Sequence, residues 1–284
     1  MADLKGKVAL VTGASRGVGK GVALALAAEG ATVYLTGRTL EPGDQPLPGT
    51  LGETAAECDR RGGKGIAVRV DHADDQQVAA LFARLEAEQG RLDILVNNAM
   101  AIPAEMTQRV GFWEKPISNW EIFDIGVRAA FVAARCAAQI MTRQGSGLIV
   151  AISGYVGVTY TYDTIFGVTK TATDRMAHDM AIELEPYGVA SLSLWQGFTY
   201  TERATQNLKT VPGMASQLNS AVGSSPEFPG RVIAALAKDA AIMDKSGGTF
   251  IGAELAGEYG VTDIDGRVIP SLRAERGAPI WRPV

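Results

Sequence analysis

The sequence predicts an α/β fold, a doubly wound and mainly parallel sheet of about seven strands, formed by one domain spanning residues 1–284. Short, almost entirely apolar segments alternate with longer amphipathic segments along the chain. That alternation is typical of parallel strands covered by helices on both faces. The chain of 284 residues is also long enough to form a core without disulfides or a structural metal.

The predicted elements follow one another in a regular order. Strands are expected at residues 8–11, 31–35, 65–70, 92–96, 147–152, 189–194 and 248–253. Helices are expected at residues 17–29, 51–61, 74–89, 118–143, 164–185 and 228–238. Three longer segments, residues 41–50, 100–117 and 198–226, interrupt this alternation of strands and helices. We expect the second and third of these to form substrate-site loops, because long connections at the carboxyl ends of parallel strands usually build such sites.

Composition and charge narrow the class of protein. The formal net charge is −4 and the basic residues are scattered, which argues against a nucleic-acid or membrane-surface partner. No stretch of 18 or more apolar residues occurs, and the first residues lack the pattern of a signal peptide. Neither the two cysteines nor the two histidines have metal-ligand spacing. We therefore predict a cytoplasmic protein without a metal.

A glycine-rich turn follows the first predicted strand. Residues 12–19 read TGASRGVG and lie between strand one and helix one. Three glycines at such a turn allow a tight bend, close approach to a pyrophosphate and packing of the helix on the strand, while the helix amino terminus attracts phosphate. The sequence therefore predicts a dinucleotide site that includes Gly13, Ser15, Arg16, Gly17, Val18 and Gly19.

The ends of the next strands suggest which dinucleotide is bound. The second strand is followed by Arg38 and not by the carboxylate that commonly binds the ribose hydroxyls of NAD. A guanidinium suits a 2′-phosphate, and Arg16 offers a second cation, so we predict NADP(H) in preference to NAD(H). Asp71 and the backbone of His72 are expected at the adenine. Asn97 and Ala99 are expected at the ribose and nicotinamide, although Asn97 has the alternative role of bracing neighbouring strands.

Three motifs carry a resemblance to a known family. TGASRGVG at 12–19, NNA at 97–99 and a YxxxK-like segment ending at Lys170 resemble the short-chain dehydrogenase/reductase family, over about residues 5–253. Residues 111–116 with Trp120, 191–195 and 259–266 resemble the subgroup of dehydrogenase/reductase family member 1. The resemblance implies a Rossmann-type sheet in the order 3-2-1-4-5-6-7. It also implies hydride transfer between NAD(P) and a carbonyl or hydroxyl carbon.

The resemblance assigns roles to individual residues. Ser153 matches the serine that binds the substrate oxygen, Lys170 the lysine that holds the nicotinamide ribose, and Thr201 the threonine at the nicotinamide amide. A nearby lysine also lowers the pKa of a tyrosine hydroxyl. The sequence departs from the family at Phe166, which occupies the position of the catalytic tyrosine, and at Gly126, which occupies that of a water-holding asparagine.

Phenylalanine has no proton to give, and three explanations of Phe166 stay open. The first is a deliberate Tyr→Phe change made to trap a ligand. The second is recruitment of another hydroxyl, with Tyr162 one helical turn upstream if that segment is helical, and with an altered, even non-redox, reaction among the outcomes. Further candidates for recruitment are Tyr155, Tyr160 and Tyr200. The third is a nucleotide-binding sensor or scaffold with little catalysis.

The function favoured by the sequence is an NADP(H)-dependent oxidoreductase of a hydrophobic carbonyl or secondary alcohol, impaired in this form by Phe166. The expected substrate is small and apolar, because apolar side chains recur near the predicted site. They are Met100, Met106, Trp113, Trp195, Phe198 and Tyr200. By the same resemblance, the helices at 118–143 and 164–185 are expected to form a homodimer or homotetramer.

Overall fold

A computed structural model describes residues 3–44, 46–210 and 222–284. The strands are β1 Val8–Thr12, β2 Thr32–Gly37, β3 Lys64–Arg69, β4 Ile94–Asn97, β5 Gly147–Ser153, β6 Val189–Trp195 and β7 Thr249–Ile251. The helices are α1 Gly17–Ala28, α2 Leu51–Arg60, α3 Asp75–Gln89, α4 Glu121–Phe123, α5 Ala129–Gln144, α6 Thr164–Leu184, α7 Glu202–Thr210, α8 Phe228–Lys238, α9 Gly252–Tyr259 and α10 Arg273–Arg276.

The strands form one seven-stranded sheet in the order β3-β2-β1-β4-β5-β6-β7. All six pairings are parallel. The order reverses between β1 and β4, and in open α/β sheets ligands bind outside the carboxyl ends of the strands at such a point. The predicted fold class and strand order are therefore confirmed.

Apolar side chains cover both faces of the sheet, which is why the strands are so uniformly apolar. One face packs against α1, α8 and α9, with Val22, Val232 and Leu255 in its core. The other face packs against α3 and α5, with Leu85 and Ile140 in its core. Helix α6 lies against β5 and β6. The carboxyl ends of the strands remain between these layers as the open edge of the sheet.

The structure corrects three details of the predicted elements. The helix expected at 118–143 has a π-helical turn at Asp124–Arg128, which separates α4 from α5. The strand expected at 248–253 ends at Ile251, because Gly252 begins α9. Within the expected loop 198–226, residues 202–210 form α7, and residues 211–221 lie outside the described part of the chain.

One helical run, Ile117–Gln144, is long and apolar enough to cross a membrane by length and composition alone. A core helix of a globular domain passes the same test, and in this fold α5 packs against α3, β4 and β5. Only 33% of the most apolar window is buried, however, so the run also presents apolar side chains on the surface of the domain.

Candidate active site

The glycine-rich turn connects β1 to α1 at the open edge of the sheet. Gly13 has φ +68° and Gly17 φ +56°, conformations in which a side chain is strained. A Cβ on Gly19 would lie 2.3 Å from the Gly13 carbonyl oxygen, so no larger residue fits there. Helix α1 begins at Gly17 without a side-chain cap, and its first amides point out of the helix. Ser15 and Val18 are buried beside the turn.

Asn98, the residue after β4, supports this turn, a role that sequence reasoning missed. Its Nδ2 donates to the carbonyl oxygens of Thr12 at 2.8 Å and Gly13 at 3.1 Å. In return, Thr12 Oγ1 accepts from the backbone amides of Asn98 and Ala99, both at 2.9 Å. The only sequence signal was the position of Asn98 next to Asn97. These bonds fix the turn against the neighbouring strand end.

The side chain of Asn97 contacts helix α5 and is not directed toward the predicted cofactor position. Its Nδ2 donates to the carbonyl oxygen of Ala130 in α5 at 3.1 Å, and the side chain is buried. The bracing role considered for this residue is therefore the observed one, directed at a helix and not at a strand. Its Oδ1 has no hydrogen-bonding partner among the described residues.

The two arginines predicted at the 2′-phosphate differ in their surroundings. Arg16 donates to the carbonyl oxygens of Leu47, Pro48 and Gly49 at 2.9–3.0 Å, so its guanidinium fastens the 46–50 loop to the glycine turn. Arg38 is exposed and has no hydrogen bond or ion pair within the described ranges. The structure therefore directs Arg16 to the loop, whereas Arg38 lies exposed without a partner in the described part of the chain.

Asp71 and His72 follow β3, as expected for the adenine end. One carboxylate oxygen of Asp71 accepts from the Ala73 amide at 3.0 Å, and the side chain is half-buried. The imidazole of His72 turns into the fold and pairs with Thr36 Oγ1 at 2.8 Å. Burial lowers the pKa of His72 to about 4, partly offset by the charge of Asp71, so the ring is neutral at pH 7. The side chain is thus turned away from solvent, and a backbone contact of His72 with the adenine stays a prediction.

Ser153 and Lys170 meet where β5 ends against α6. Lys170 Nζ donates to the Ile152 carbonyl oxygen at 2.8 Å, and Ser153 Oγ donates to the Lys170 carbonyl oxygen at 3.3 Å. Burial lowers the pKa of Lys170 to about 8, although the charge of Asp174 favours the protonated form. The fold therefore brings together the two residues that the sequence placed 17 positions apart.

Asp174 lies next to this pair and was not predicted. Its carboxylate accepts from Ser193 Oγ at 2.5 Å and from Trp195 Nε1 at 2.9 Å, and the residue is 3% exposed. Burial raises the pKa of Asp174, against the opposing hydrogen bonds of Ser193, Ser153 and Trp195. The available signal was spacing, since Asp174 follows Lys170 by four residues and so shares its helix face.

Phe166 lies in the first turn of α6, one turn before Lys170 and half-buried. The helix begins at Thr164, after the Asp163 cap. Tyr162 therefore lies outside the helix, with φ +65°, and is 37% exposed. The condition for placing Tyr162 one helical turn upstream, a helical segment at that residue, is therefore not met, because α6 begins only after the Asp163 cap.

The other tyrosines are engaged elsewhere. The Tyr155 hydroxyl accepts from the Leu272 amide at 3.0 Å, and its ring packs edge-on against Trp195. The Tyr160 hydroxyl donates to the carbonyl oxygen of Tyr162 at 3.2 Å. Tyr200 packs edge-on against Phe198, with ring centroids 5.2 Å apart. Of the predicted apolar lining, Met106 and Trp195 are buried, whereas Trp113 is 76% exposed.

Gly126 lies within the π-helical turn, a feature that is frequent at functional sites. A Cβ at this position would lie 2.7 Å from Thr169 Cγ2 in α6. The helices therefore approach too closely for an asparagine side chain without a shift. The position of the family's water-holding residue is occupied in this chain by a close helix contact.

A buried ion pair anchors the 100–117 connection to the start of α6. Lys115 Nζ lies 2.7 Å from Asp163 Oδ2, with side-chain exposures of 5% and 3%. The same ammonium donates to the carbonyl oxygens of Met106 and Tyr162. Asp163 also accepts from the Ile165 amide as the cap of α6. The connection predicted to build the substrate site is thereby fixed to the helix that carries Lys170.

The start of α7 closes the nucleotide end of the site. Thr201 Oγ1 accepts from the Ala204 amide at 3.1 Å, and a Cβ on Gly17 would lie 3.2 Å from Thr201 Cγ2. The Gly17 amide donates to Glu202 Oε2 at 2.9 Å. The segment after β6 therefore reaches the glycine turn, and the contact of Thr201 with a nicotinamide amide stays a prediction. Among the described residues there is no group of three metal-ligating side chains.

Comparison with known proteins agrees with this arrangement. A family model described as short chain dehydrogenase matches residues 7–211. Mouse (Mus musculus) dehydrogenase/reductase SDR family member 1 is 40% identical over 281 residues, covering 95% of this chain and 87% of the relative. The human (Homo sapiens) protein of that name is 38% identical, covering 94% and 86%.

Solved structures show the same similarity. A short-chain type dehydrogenase/reductase from Mycobacterium marinum has a TM-score of 0.74 and 28% identity, with 88% of this chain and 94% of that chain covered. A short chain dehydrogenase from Mycobacterium thermoresistibile has a TM-score of 0.77 and 27% identity, with 95% and 93% covered. The chain therefore belongs to the short-chain dehydrogenase/reductase family of NAD(P)-dependent oxidoreductases.

Proposed function

We propose that the protein is an NADP(H)-dependent oxidoreductase that interconverts a hydrophobic carbonyl compound and its secondary alcohol. The observation that carries this proposal is the juxtaposition of Ser153 and Lys170 at the carboxyl end of β5. The glycine-rich turn lies at the same edge of the sheet, two strands away. A hydride donor held over that turn would therefore lie near a hydroxyl suited to polarise a carbonyl oxygen.

The residues at the nucleotide end fit a phosphorylated dinucleotide. A Cβ at Gly19 would meet the Gly13 carbonyl oxygen and Asn98, so glycine at this position lets α1 pack closely beneath the turn that would hold a pyrophosphate. Arg38 extends from the end of β2 into solvent and has no partner in the described structure. A guanidinium there would bind a 2′-phosphate through two parallel hydrogen bonds. This free cation favours NADP(H) over NAD(H).

The chain's own residues would divide the chemistry as follows. NADPH, when bound, supplies the hydride. Ser153 holds the substrate oxygen and stabilises the charge that develops on it. Lys170, with its pKa lowered to about 8, is poised to bind ribose hydroxyls as a donor. Phe166 maintains the shape of the pocket but supplies no proton, so carbonyl reduction is slower than with a tyrosine, by a factor of about 10²–10⁴.

Cofactor binding is the first test. Titration calorimetry should detect NADPH binding, and Arg38→Ala should weaken it about tenfold or more while leaving NADH binding unchanged, as expected for loss of a charged hydrogen bond of about 1.5–3 kcal/mol. Arg231→Ala removes an exposed arginine from α8 and serves as the matched control. Absence of binding to either nicotinamide dinucleotide would refute the proposal.

Turnover is the second test. NADPH absorbance is followed with a panel of ketones, aldehydes and quinones for the chain with Phe166 and for Phe166→Tyr. A strong gain in the variant supports a reductase disabled at position 166. Activity that is unchanged in Phe166→Tyr but lost in Tyr162→Phe supports the recruited hydroxyl.

A second candidate function is favoured by Phe166 itself. Without an acid at this position, the fold can bind NADP(H) as a sensor or scaffold without turnover. Tight NADPH binding with no turnover in any variant would support the sensor and exclude the reductase.

We also propose that the protein self-associates through α5 and α6. These helices expose large apolar side chains: Phe131 is 49% exposed, Val168 45% and Ile182 52%. Exposed large apolar side chains on two neighbouring helices favour an interaction site there. Light scattering should give a dimer or tetramer, and Phe131→Glu with Ile182→Glu should yield a monomer.

A further inference from the structure

A cavity lies between the 46–50 loop and α7, beside the glycine turn. Its volume is about 240 Å³, and it is lined by Arg16 from the turn, Pro46 and Leu47 from the loop, and Arg203 and Gln206 from α7. Two of these five described side chains are cations, and none is a carboxylate. A concave site lined by charges of one sign attracts a ligand of the opposite sign. The cavity therefore favours an anion.

Arg203 carries a charge that no described residue neutralises. The side chain is half-buried and makes no hydrogen bond or ion pair with the rest of the described chain. Burial lowers the pKa of its guanidinium, and the charge of Arg16 lowers it further. The N–H donors of a partly desolvated guanidinium still need acceptors, and the cavity is where a ligand can supply them.

Arg16 borders the same cavity and is held rigidly. Its Nε and Nη2 donate to carbonyl oxygens of the 46–50 loop, and Nη2 also donates to Thr39 Oγ1 at 3.2 Å. Its Nη1 makes no hydrogen bond to a described residue, so one nitrogen of the fork is available to a ligand. The bonds to the loop thereby fix a positive charge beside the cavity without using all of its donors.

The first turn of α7 fixes Arg203 in place. Thr201 Oγ1 accepts from the Ala204 amide at 3.1 Å, and the Glu202 carboxylate accepts from the Gly17 amide at 2.9 Å. Glu202, although next to Arg203 in sequence, is thus directed to the amino terminus of α1 and does not pair with the arginine. The fold therefore brings a second cation to the cavity from a helix 187 residues after Arg16 in the chain.

We propose that Arg203 and Arg16 form a phosphate-binding site between α7 and the 46–50 loop, and that Arg203 is a determinant of dinucleotide affinity. The inference rests on the proposed function, because the phosphate is one that the dinucleotide carries. Guanidinium groups bind phosphate oxygens through paired, charge-assisted hydrogen bonds, and a phosphate offsets the mutual repulsion of the two cations. Helix α7, which lies outside the glycine motif and the strand ends, thereby contributes to cofactor binding.

Two phosphates of NADP(H) have the required chemistry. The 2′-phosphate is supported by the bond from Arg16 to Thr39, because Thr39 lies just beyond the end of β2. The pyrophosphate is supported by the contact of Glu202 with Gly17, because α1 begins at Gly17. NADH carries the pyrophosphate but no 2′-phosphate, so comparing NADPH with NADH distinguishes the two sources.

Titration calorimetry of the parent chain and of Arg203→Gln, with NADPH and with NADH, tests the proposal. Glutamine removes the charge but remains a good helix former, so α7 is preserved. NADPH binding should weaken about tenfold or more, as expected for the loss of charge-assisted hydrogen bonds. An equal loss for NADH assigns the site to the pyrophosphate, and a loss confined to NADPH assigns it to the 2′-phosphate.

Lys209→Gln is the matched control. It removes an exposed cation from the same helix, at a position that does not line this cavity. Because an exposed charge at a distance is screened, the affinity for either dinucleotide should change by no more than about twofold.

Inorganic pyrophosphate provides a readout that needs no dinucleotide. A ligand that binds the folded chain raises its Tm, so pyrophosphate should stabilise the parent chain more than Arg203→Gln. The difference between the two chains should shrink with added sodium chloride, because salt screens the attraction.

The inference is overturned if Arg203→Gln binds NADPH and NADH as tightly as the parent chain, or if Lys209→Gln causes the same loss. An equal rise of Tm with pyrophosphate in both chains also overturns it. These results leave the proposed function intact, because the dinucleotide still binds. The proposed function fails instead if the parent chain binds neither dinucleotide. A pyrophosphate effect that depends on Arg203 would then retain the phosphate site but exclude the dinucleotide as its ligand.

Discussion

The ion pair between Lys115 and Asp163 gives the sharpest test of how the site is held together. Replacing Lys115 by methionine keeps the length and apolar stem of the side chain but removes its charge. Asp163 would then remain 3% exposed without its cation, with only backbone and amide donors as partners. The ammonium's bonds to Met106 and Tyr162 would be lost at the same time.

The expected cost is large because a buried charge loses its partner. Breaking a buried pair in this way typically costs about 3–5 kcal/mol, a substantial part of the roughly 5–15 kcal/mol by which domains are stable. The matched control is Arg143→Met, which breaks the pair with Glu86 at side-chain exposures of 60% and 48%. Exposed pairs of this kind contribute about 0–1 kcal/mol.

The stabilisation by the Lys115–Asp163 pair should depend on pH in a direction that follows from the pKa of Asp163. Burial by itself raises the pKa of Asp163, but the hydrogen bonds from Lys115 and the Ile165 amide outweigh it, so the pKa is lowered. The stabilisation is therefore present above the unfolded pKa of about 3.9 and is lost as pH falls through the lower folded value. The cost of Lys115→Met should be greatest near neutral pH and shrink in acid.

Urea unfolding followed by tryptophan fluorescence at several pH values measures both quantities. A loss of stability for Lys115→Met no larger than that for Arg143→Met would refute the reasoning, as would a cost that grows in acid. Either result would mean that Asp163 is solvated or re-paired without Lys115.

Two further predictions concern the nucleotide end. Gly19→Ala would place a methyl group 2.3 Å from the Gly13 carbonyl oxygen, so we expect this variant to lose NADPH binding in titration calorimetry. The control is Gly257→Ala in α9, where the added methyl group meets no atom within 4 Å, and this variant should bind NADPH as before. His72, with its pKa lowered to about 4, should destabilise the fold as pH falls from about 6.5 to 4, by up to about 3 kcal/mol. His72→Gln retains a partner for Thr36 and should remove this acid-dependent loss in unfolding experiments. If the stability of the chain with His72 does not change over that pH range, the assignment is contradicted.

The fold was predictable because its signal is local and repeated. Apolar periodicity gave every strand of the sheet, and the predicted bounds of α8, 228–238, agree with the structure. The start of α9 was missed because Gly252 and Ala253 are small and carry no polar side chain that would mark the end of the apolar strand β7. The π-helical turn at 124–128 was missed because one extra residue in a turn leaves the apolar pattern of a long helix almost unchanged.

The site was predictable only where position along a strand determines it. Ser153 and Lys170 were assigned by the family resemblance, and the fold brings them together because the end of β5 and the following helix α6 share one edge of the sheet. The direction of Arg16 could not be predicted, because it depends on carbonyl oxygens of a loop more than 30 residues away. The partners of Asp174 and Lys115 are likewise set by tertiary contacts that leave no pattern in the sequence.

Glu202 illustrates a contact of this kind at the nucleotide end. Its carboxylate accepts from the Gly17 amide at 2.9 Å, at the amino terminus of α1. Amides at such a terminus attract anions, and the same amides are those that a pyrophosphate would use. A carboxylate there competes with the dinucleotide by charge repulsion and by occupying a donor. Removal of its charge should therefore favour binding.

We expect Glu202→Gln to tighten NADPH binding about two- to fivefold, because a charge at a helix terminus contributes about 0.3–1 kcal/mol. Glutamine retains an oxygen for the Gly17 amide, so α7 need not rearrange. The gain should shrink with added salt, as charge repulsion is screened. Glu121→Gln, at an exposed carboxylate without a hydrogen-bonding partner in the described structure, controls for overall charge. Weaker NADPH binding in Glu202→Gln would contradict this reasoning. It would mean that the Glu202 carboxylate leaves the Gly17 amide at no cost when the dinucleotide binds, and that the carboxylate then holds α7 over the bound dinucleotide.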